Sequence, residues 1–196
     1  MERLDSKITL SGQVFTFCTE VSIDSSYDNL TDKAAFVIPK KLRYKKEDGT
    51  NADSITRGKD ALFKIGDPAS IEVGYNAKIK QVFTGFISGV RQKFPLRFNL
   101  EDEVYKLKQQ NHTLSFETTK LSELLAAILP SGVVYEIEGD RNLGQFRIND
   151  ATAAQVLDEL RKKYGVYSFF RDSVLYVGPS IVEKLQKTFT FEFNTP

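Results

Sequence analysis

The feature that most constrains this chain is a change of hydrophobic period close to residue 101. Up to Leu100, apolar residues recur at every second position; beyond it they recur at helical spacing, between short strands. From Val14 to Ile23 the alternation puts Phe15, Phe17, Thr19, Val21 and Ile23 on one face, which predicts one half-buried strand. Ala34 to Ile38 is a short apolar run closed by Pro39, a residue that cannot continue a central ladder. The stretch from Lys45 to Ser54 is polar and contains Gly49, and reads as a loop. After the turn Gly66-Asp67-Pro68, Ile71, Val73 and Tyr75 alternate with Glu72 and Gly74, and Asn76 marks a hairpin tip. Lys78 to Val90 is the return strand, with Gly85 and Gly89 placed where a strand bends or bulges. Phe94, Leu96, Phe98 and Leu100 add a further strand. Strands so closely spaced predict a small antiparallel barrel or sandwich.

The second half obeys another rule. Glu101 to Lys108 is acidic first and basic last, as a short helix prefers. Leu121, Leu124, Leu125, Ile128 and Leu129 fall on one helical face, with Thr119 as the expected cap and Pro130 and Gly132 as the stop. Val133 to Ile137 and Gln145 to Ile148 read as strands around the turn 138–142. Thr152 and Gln155 have capping-box spacing, Val156, Leu157, Leu160 and Tyr164 face the core, and Gly165 closes the helix. Asp158 with Lys162 and Glu159 with Lys163 are spaced as ion pairs on its outer face. Val166 to Phe170 and Val174 to Val177 form a hairpin about Arg171-Asp172-Ser173. Lys187 to Phe193 is a last strand with Phe189, Phe191 and Phe193 on one face, a sticky element that wants a partner. It is expected to return to the first unit, and the natural chain is expected to continue past Pro196.

Composition narrows the function. Lys and Arg number 27 against 26 Asp and Glu, so the basic excess that polyanion binding demands is missing. No apolar run approaches the roughly 20 residues of a membrane helix, and Met1-Glu2-Arg3-Leu4-Asp5 does not read as a secretory signal. The single His112 and single Cys18 supply neither a zinc set nor a nucleophile with its base. Cys18 reads as a small apolar strand residue and His112 as a surface or linker residue. The trio Glu101-Asp102-Glu103 is better explained by helix-start electrostatics than by paired catalytic carboxylates. The spacing of Gly85 and Gly89 lacks the Gly-Lys-Ser/Thr ending of a phosphate loop. One binding pattern stands out: Phe83, Phe86, Phe94 and Phe98 interleave with Lys80, Arg91, Lys93 and Arg97. A weave of this kind occurs in OB-type binders of single-stranded nucleic acid, although strand alternation buries many of these rings.

Gly66-Asp67-Pro68-Ala69-Ser70-Ile71-Glu72-Val73-Gly74-Tyr75, followed by Val82-Phe83-Thr84-Gly85-Phe86-Ile87, resembles the barrel signature of phage tail hub proteins. These include the baseplate hub and late control protein D families and the matching part of type VI secretion spike proteins. Asp102 takes the place of the acidic residue that often follows in them. The Leu121–Leu125, Ala154–Gly165 and Phe169–Gly178 segments are similar to the α+β module of such hubs.

The resulting expectation is a β-rich α+β chain. Residues 1–108 with 187–196 would form a small antiparallel β-barrel domain, and 109–186 an inserted or following two-helix α+β domain. The resemblance implies a non-enzymatic ring subunit, trimeric in full-length form, that joins tail tube to central spike. It would be made in the bacterial cytoplasm and placed in a virion tail or prophage-derived particle. Its partners would be copies of itself, tube and spike proteins, with no membrane, and nucleic acid only as passing cargo. No metal and no cofactor are expected. Contact residues are sought in loops carried by a rigid scaffold: Lys45, Lys46, Asp48 and Arg57 in the polar loop, and Tyr75 and Asn76 at the hairpin tip. The alternative is an OB-like module for glycan or single-stranded nucleic acid. A cell-wall hydrolase fused into a tail tip is a third reading.

Overall fold

The computed structural model describes residues 4–16, 18–26, 29–38, 44–45, 51–52, 63–76, 78–91 and 95–179. Nine strands make one sheet: β1 (Leu4–Leu10), β2 (Gln13–Phe15), β3 (Glu20–Asp24), β4 (Lys33–Ile38), β5 (Tyr44–Lys45), β6 (Asn51–Ala52), β7 (Pro68–Tyr75), β8 (Lys78–Arg91) and β9 (Leu96–Glu101). Their spatial order is β3-β4-β9-β8-β7-β1-β2-β5-β6, every neighbouring pair antiparallel.

Chain connectivity forces this sheet to curl. From β2 to β3 is six inter-strand steps in the sheet order, which at about 4.8 Å each would span roughly 29 Å if flat. The link from Phe15 to Glu20 reaches at most about 17 Å. Beside that link, the Cys18 thiol comes within 3.6 Å of the Ser6 hydroxyl on β1. Alternation then fills the concave side with Ile8, Leu10, Phe15, Phe36, Ile71, Ile87, Phe98 and Leu100, all essentially inaccessible to water. Rings from β2, from the adjacent strands β4 and β9, and from the segment before β7 meet there. Phe36 stacks on Phe98 at 4.9 Å, Phe63 meets Phe98 edge-on at 5.5 Å, and Phe15 lies 5.7 Å from Phe63.

The predicted barrel is therefore corrected to an open, curled sheet. Among the described residues β3 and β6 terminate it, and no ladder joins them. Closure would need β3 to pair with the far end, but the outer side of β2 is taken by β5 (Val14 opposite Lys45), and β6 follows. β3 itself is short, and Glu20, Ser22 and Asp24 are exposed. The predicted single strand from Val14 to Ile23 is likewise two strands, β2 and β3. Cys18 lies half-buried in the link between them. The polar loop contributes two-residue strands at Tyr44–Lys45 and Asn51–Ala52. The predicted strand 187–193 lies outside the described residues.

β8 organises the sheet. Its first part pairs with β7 and its last with β9, the exchange falling at Phe86, which is matched with both Pro68 and Glu101. A register shift between Ile87 and Gly89 bends it, as a bulge does. At Gly85 the next strand comes so close that a Cβ would sit 2.1 Å from the Glu101 carbonyl oxygen.

Beyond β9 come α1 (Val104–Leu107), β10 (Asn111–Lys120), α2 (Leu121–Ile128), β11 (Val134–Ile137), β12 (Asn142–Thr152), α3 (Ala153–Tyr164), β13 (Val166–Arg171) and β14 (Val174–Pro179). β10 and β12 form an antiparallel ribbon, and β11-β14-β13 a small sheet in which β11 runs parallel to β14. Leu121, Leu124, Leu125 and Ile128 of α2 are buried, as their spacing predicts, and so are Val156, Leu157 and Leu160 of α3. Both partners of the α3 capping box form: the Gln155 N–H donates to Thr152 Oγ1 and the Thr152 N–H to Gln155 Oε1. Gly165 ends the helix at φ 63°, and the Asp158–Lys162 and Glu159–Lys163 pairs are made. Asp172 and Ser173, at φ 51° and 64°, turn the β13–β14 hairpin tightly enough to match strand twist.

Gly85→Ala should destabilise the protein by about 1–3 kcal/mol or more, since backbone must move to admit the methyl group. Gly89→Ala meets only the Asn99 side chain, at 3.5 Å, and should be far milder. Urea denaturation of the two variants checks the order.

Candidate interface surfaces

Those of the expected contact residues that are described fall in two places. Tyr75 ends β7 and is 55% exposed, with Asn76 beside it in the left-handed region at φ 52°. Lys78 and Lys80 are exposed on the return strand, and Lys7 is paired with Glu72 at 2.7 Å on the neighbouring strands. Lys45 stands in β5, opposite Val14 and Asn51. Lys46, Asp48 and Arg57 lie outside the described residues.

Exposed apolar side chains add surfaces that sequence reading did not mark. Val82 on β8 is 45% exposed and Val134 on β11 is 60% exposed. β11 has a ladder partner on one side only among the described residues, and across its sheet Glu136 lies opposite Tyr176, which lies opposite Phe169. The Phe169 and Tyr176 rings stack at 5.7 Å beside a hollow of about 270 Å³ that also touches Ile137 and Tyr167. An unpaired edge beside an aromatic face has the anatomy of a contact surface.

Between the curled sheet and the α+β module lies a polar junction. Asp102 is only 7% exposed, and its carboxylate accepts from the Val104 N–H at 3.2 Å. Its own N–H donates to the Asp32 carbonyl at 3.1 Å. Asp32 is held in turn by the Ser25 hydroxyl at 2.7 Å and the Ser26 N–H at 3.3 Å. Burial pushes the Asp102 carboxyl up to about 7; the hydrogen bonds from this backbone oppose that shift and the nearby Asp32 charge adds to it. The acidic trio is thus three different residues. Glu101 pairs with Lys108 at 2.6 Å, Glu103 pairs with Lys106, and Asp102 turns inward. Helix-start electrostatics do not account for them: α1 has four residues and no acidic residue in its first turn.

A distant carboxylate starts α2. Asp140 accepts from the Ser122 N–H and the Ser122 hydroxyl, both at 2.9 Å, and the Arg141 carbonyl accepts the Leu121 N–H. Thr119, the cap expected from sequence, is fully buried instead and donates to the Lys120 carbonyl, while Glu123 accepts the Lys120 N–H. The two Ser122 hydrogen bonds, backbone first, hold the Asp140 carboxyl below its ordinary value.

The aromatic–basic weave divides. Phe83 and Phe98 are buried in the core, Phe86 stacks on Tyr105 under the Lys106 ammonium, and Phe94 and Lys93 lie outside the described residues. His112 is a half-buried residue of β10. Among the described residues, no group of three His, Cys, Asp or Glu is placed to hold a metal, and no helix is long and apolar enough to cross a membrane.

The fold, a curled antiparallel sheet followed by an α+β module, is similar to that of solved tail proteins. The 43 kDa tail protein of prophage MuSo2 from Shewanella oneidensis superposes with a TM-score of 0.60 at 16% identity, over 89% of this chain and 53% of that one. The tail protein from Neisseria meningitidis MC58 superposes with a TM-score of 0.55 at 19% identity, over 89% and 51%. The chain thus spans about half the length of these two structures and shares their fold. No protein-family model and no curated protein matches it.

Asp140→Ala should lower the thermal midpoint at neutral pH by uncapping α2. Because the folded carboxyl titrates below its unfolded value, that stability is present above the ordinary carboxylate range and lost as pH falls through the folded value. Melting curves of wild type and variant should therefore converge in acid.

Proposed function

We propose that this chain is a non-enzymatic structural subunit of a phage or prophage tail, at the hub or baseplate, where ring assembly joins tail tube to central spike. The observation that carries the reading is the fold shared with two tail proteins over 89% of the chain. The Gly66–Tyr75 and Val82–Ile87 segments support it: they form the β7–β8 hairpin that carries the pairing exchange at the centre of the sheet. Residues 1–108 with 187–196 form one unit in this reading and 109–186 the other. The partners are copies of the chain, a trimer in the full-length protein, together with tube and spike proteins. Its place is the virion tail or a prophage-derived particle, after synthesis in the bacterial cytoplasm.

Tyr75 and Asn76 at the hairpin tip, Lys45 in β5, and Lys46, Asp48 and Arg57 of the polar sequence that follows are the proposed contacts. A ring reuses one pair of patches on every copy, so one substitution is repeated at every joint. Light scattering and negative-stain imaging of the natural full-length protein, alone and with the tube and spike proteins of its own genome, test the assignment. Rings that bind tube and spike are the expected result; a monomer that joins neither overturns it. Tyr75→Ala should weaken assembly by about tenfold, the cost of one well-packed interface aromatic. An unchanged dissociation constant would remove the hairpin tip from the interface.

A further inference from the structure

We propose that the joint between the curled sheet and the α+β module is a proton-operated hinge, seated when Asp102 is protonated and loosened when it is ionised. The joint is made by residues 29–32, the end of β9 and α1, with Phe86 of β8 stacked on Tyr105. Residues 29–32 send Leu30 into the hydrophobic core of the α+β module, and the Asp32 carbonyl accepts the Asp102 N–H. Val104 and Leu107 of α1, immediately after Asp102, are buried in that same core. Asp102 thus lies between the last strand of one unit and the first anchor of the other.

Its surroundings are poor in compensating charge. A cavity of about 310 Å³ at this point is lined by Asp32, Asp102, Glu103 and Asp172, with Thr84 of β8 and Phe170 of β13. The charged groups facing Asp102 are Asp32 before β4, Glu101 at the end of β9, Glu103 and Lys108 about α1, and Asp172 in the β13–β14 turn. The Lys108 ammonium is held by Glu101 at 2.6 Å, and that of Lys106 by Glu103. β8 packs at Gly85 against Glu101 and Asp102 so closely that there is no room for a methyl group, and this holds the Asp102 carboxyl against the sheet. Separation of the joint would hydrate the ionised carboxyl more fully than this cavity does, since Asp102 is only 7% exposed in the seated state.

The direction follows from where the proton binds. In the seated joint the carboxyl titrates near 7, and in a hydrated one near its ordinary value of 3.8. Seating is therefore favoured fully below the ordinary value. The preference fades as pH rises and is gone above the seated value, with the opened fraction growing about tenfold per pH unit in between. A particle meeting acid or neutral surroundings would carry a stiffer or looser joint.

Two measurements on the whole chain test this. Carbon-detected NMR titration should place the Asp102 carboxyl midpoint near 7 in wild type and much closer to 3.8 in Leu30→Ala, which unseats the joint without touching Asp102. Hydrogen exchange at the amides of Asp102 and Val104, corrected for intrinsic rates, should lose about tenfold in protection from pH 5.5 to 6.5. In Asp102→Asn, protection should be independent of pH. An ordinary Asp102 midpoint in wild type overturns the proposal. So does exchange that keeps its pH dependence in Asp102→Asn or shows none in wild type. If Asp102→Asn fails to fold, the wild-type and Leu30→Ala titrations decide alone. None of these readouts depends on tail assembly.

Discussion

A four-membered group of phenylalanines holds the two flanks of a long sheet together, and the rest of the structure depends on it. Phe36 and Phe98 stack on adjacent strands, Phe63 sets its edge against Phe98, and Phe15 reaches Phe63 from the opposite flank. Aromatic pairs of this geometry add about 0.5–1.5 kcal/mol each beyond the area they bury. The short passage from β2 to β3 already demands curvature, and the rings fill the concavity that curvature creates. A flat sheet of the same strands would leave these rings on an open face. The curl is reached without closing a barrel, which leaves β3 as a free edge among the described residues.

Curvature also determines where the second module attaches. β8 is long because it serves β7 with one half and β9 with the other, and its glycine at residue 85 lets the end of β9 press against it. That close approach delivers Asp102 into the junction and starts α1 in the direction of the α+β core. Two cores result, one lined by the sheet and one by α2, α3 and their strands, with Leu30, Val104 and Leu107 crossing into the second. The carboxylate between them is the cost of joining two apolar units through a polar neck.

Much of this was legible in the sequence, for a local reason. Helix faces, the Thr152–Gln155 box, the Gly165 stop and the Asp172-Ser173 turn are set by residues within a few positions of one another. The hairpin tip at Asn76 and the bend at Gly89 were legible for the same reason. Features set by distant partners were not. Alternation from Val14 to Ile23 reveals which side chains face inward but not which strand lies alongside, so one apparent strand proved to be two at separate places in the sheet. Strand β1 has only two buried apolar positions among its described side chains, Ile8 and Leu10, too short an alternation to declare a strand by itself. The α2 cap arrives from Asp140, 18 residues away in sequence. Asp102 stands in sequence between two other acidic residues, and only packing distinguishes it as the one that turns inward.

The described part of the first hundred residues curls around a shared aromatic interior. Nuclear Overhauser contacts between ring protons of selectively labelled phenylalanines test it most directly. Cross-peaks from Phe15 to Phe63 and from Phe63 to Phe98 are predicted, because these rings lie 5.7 Å and 5.5 Å apart. Phe36–Phe98 contacts alone, with Phe15 touching neither ring, would describe a flat sheet and contradict the account.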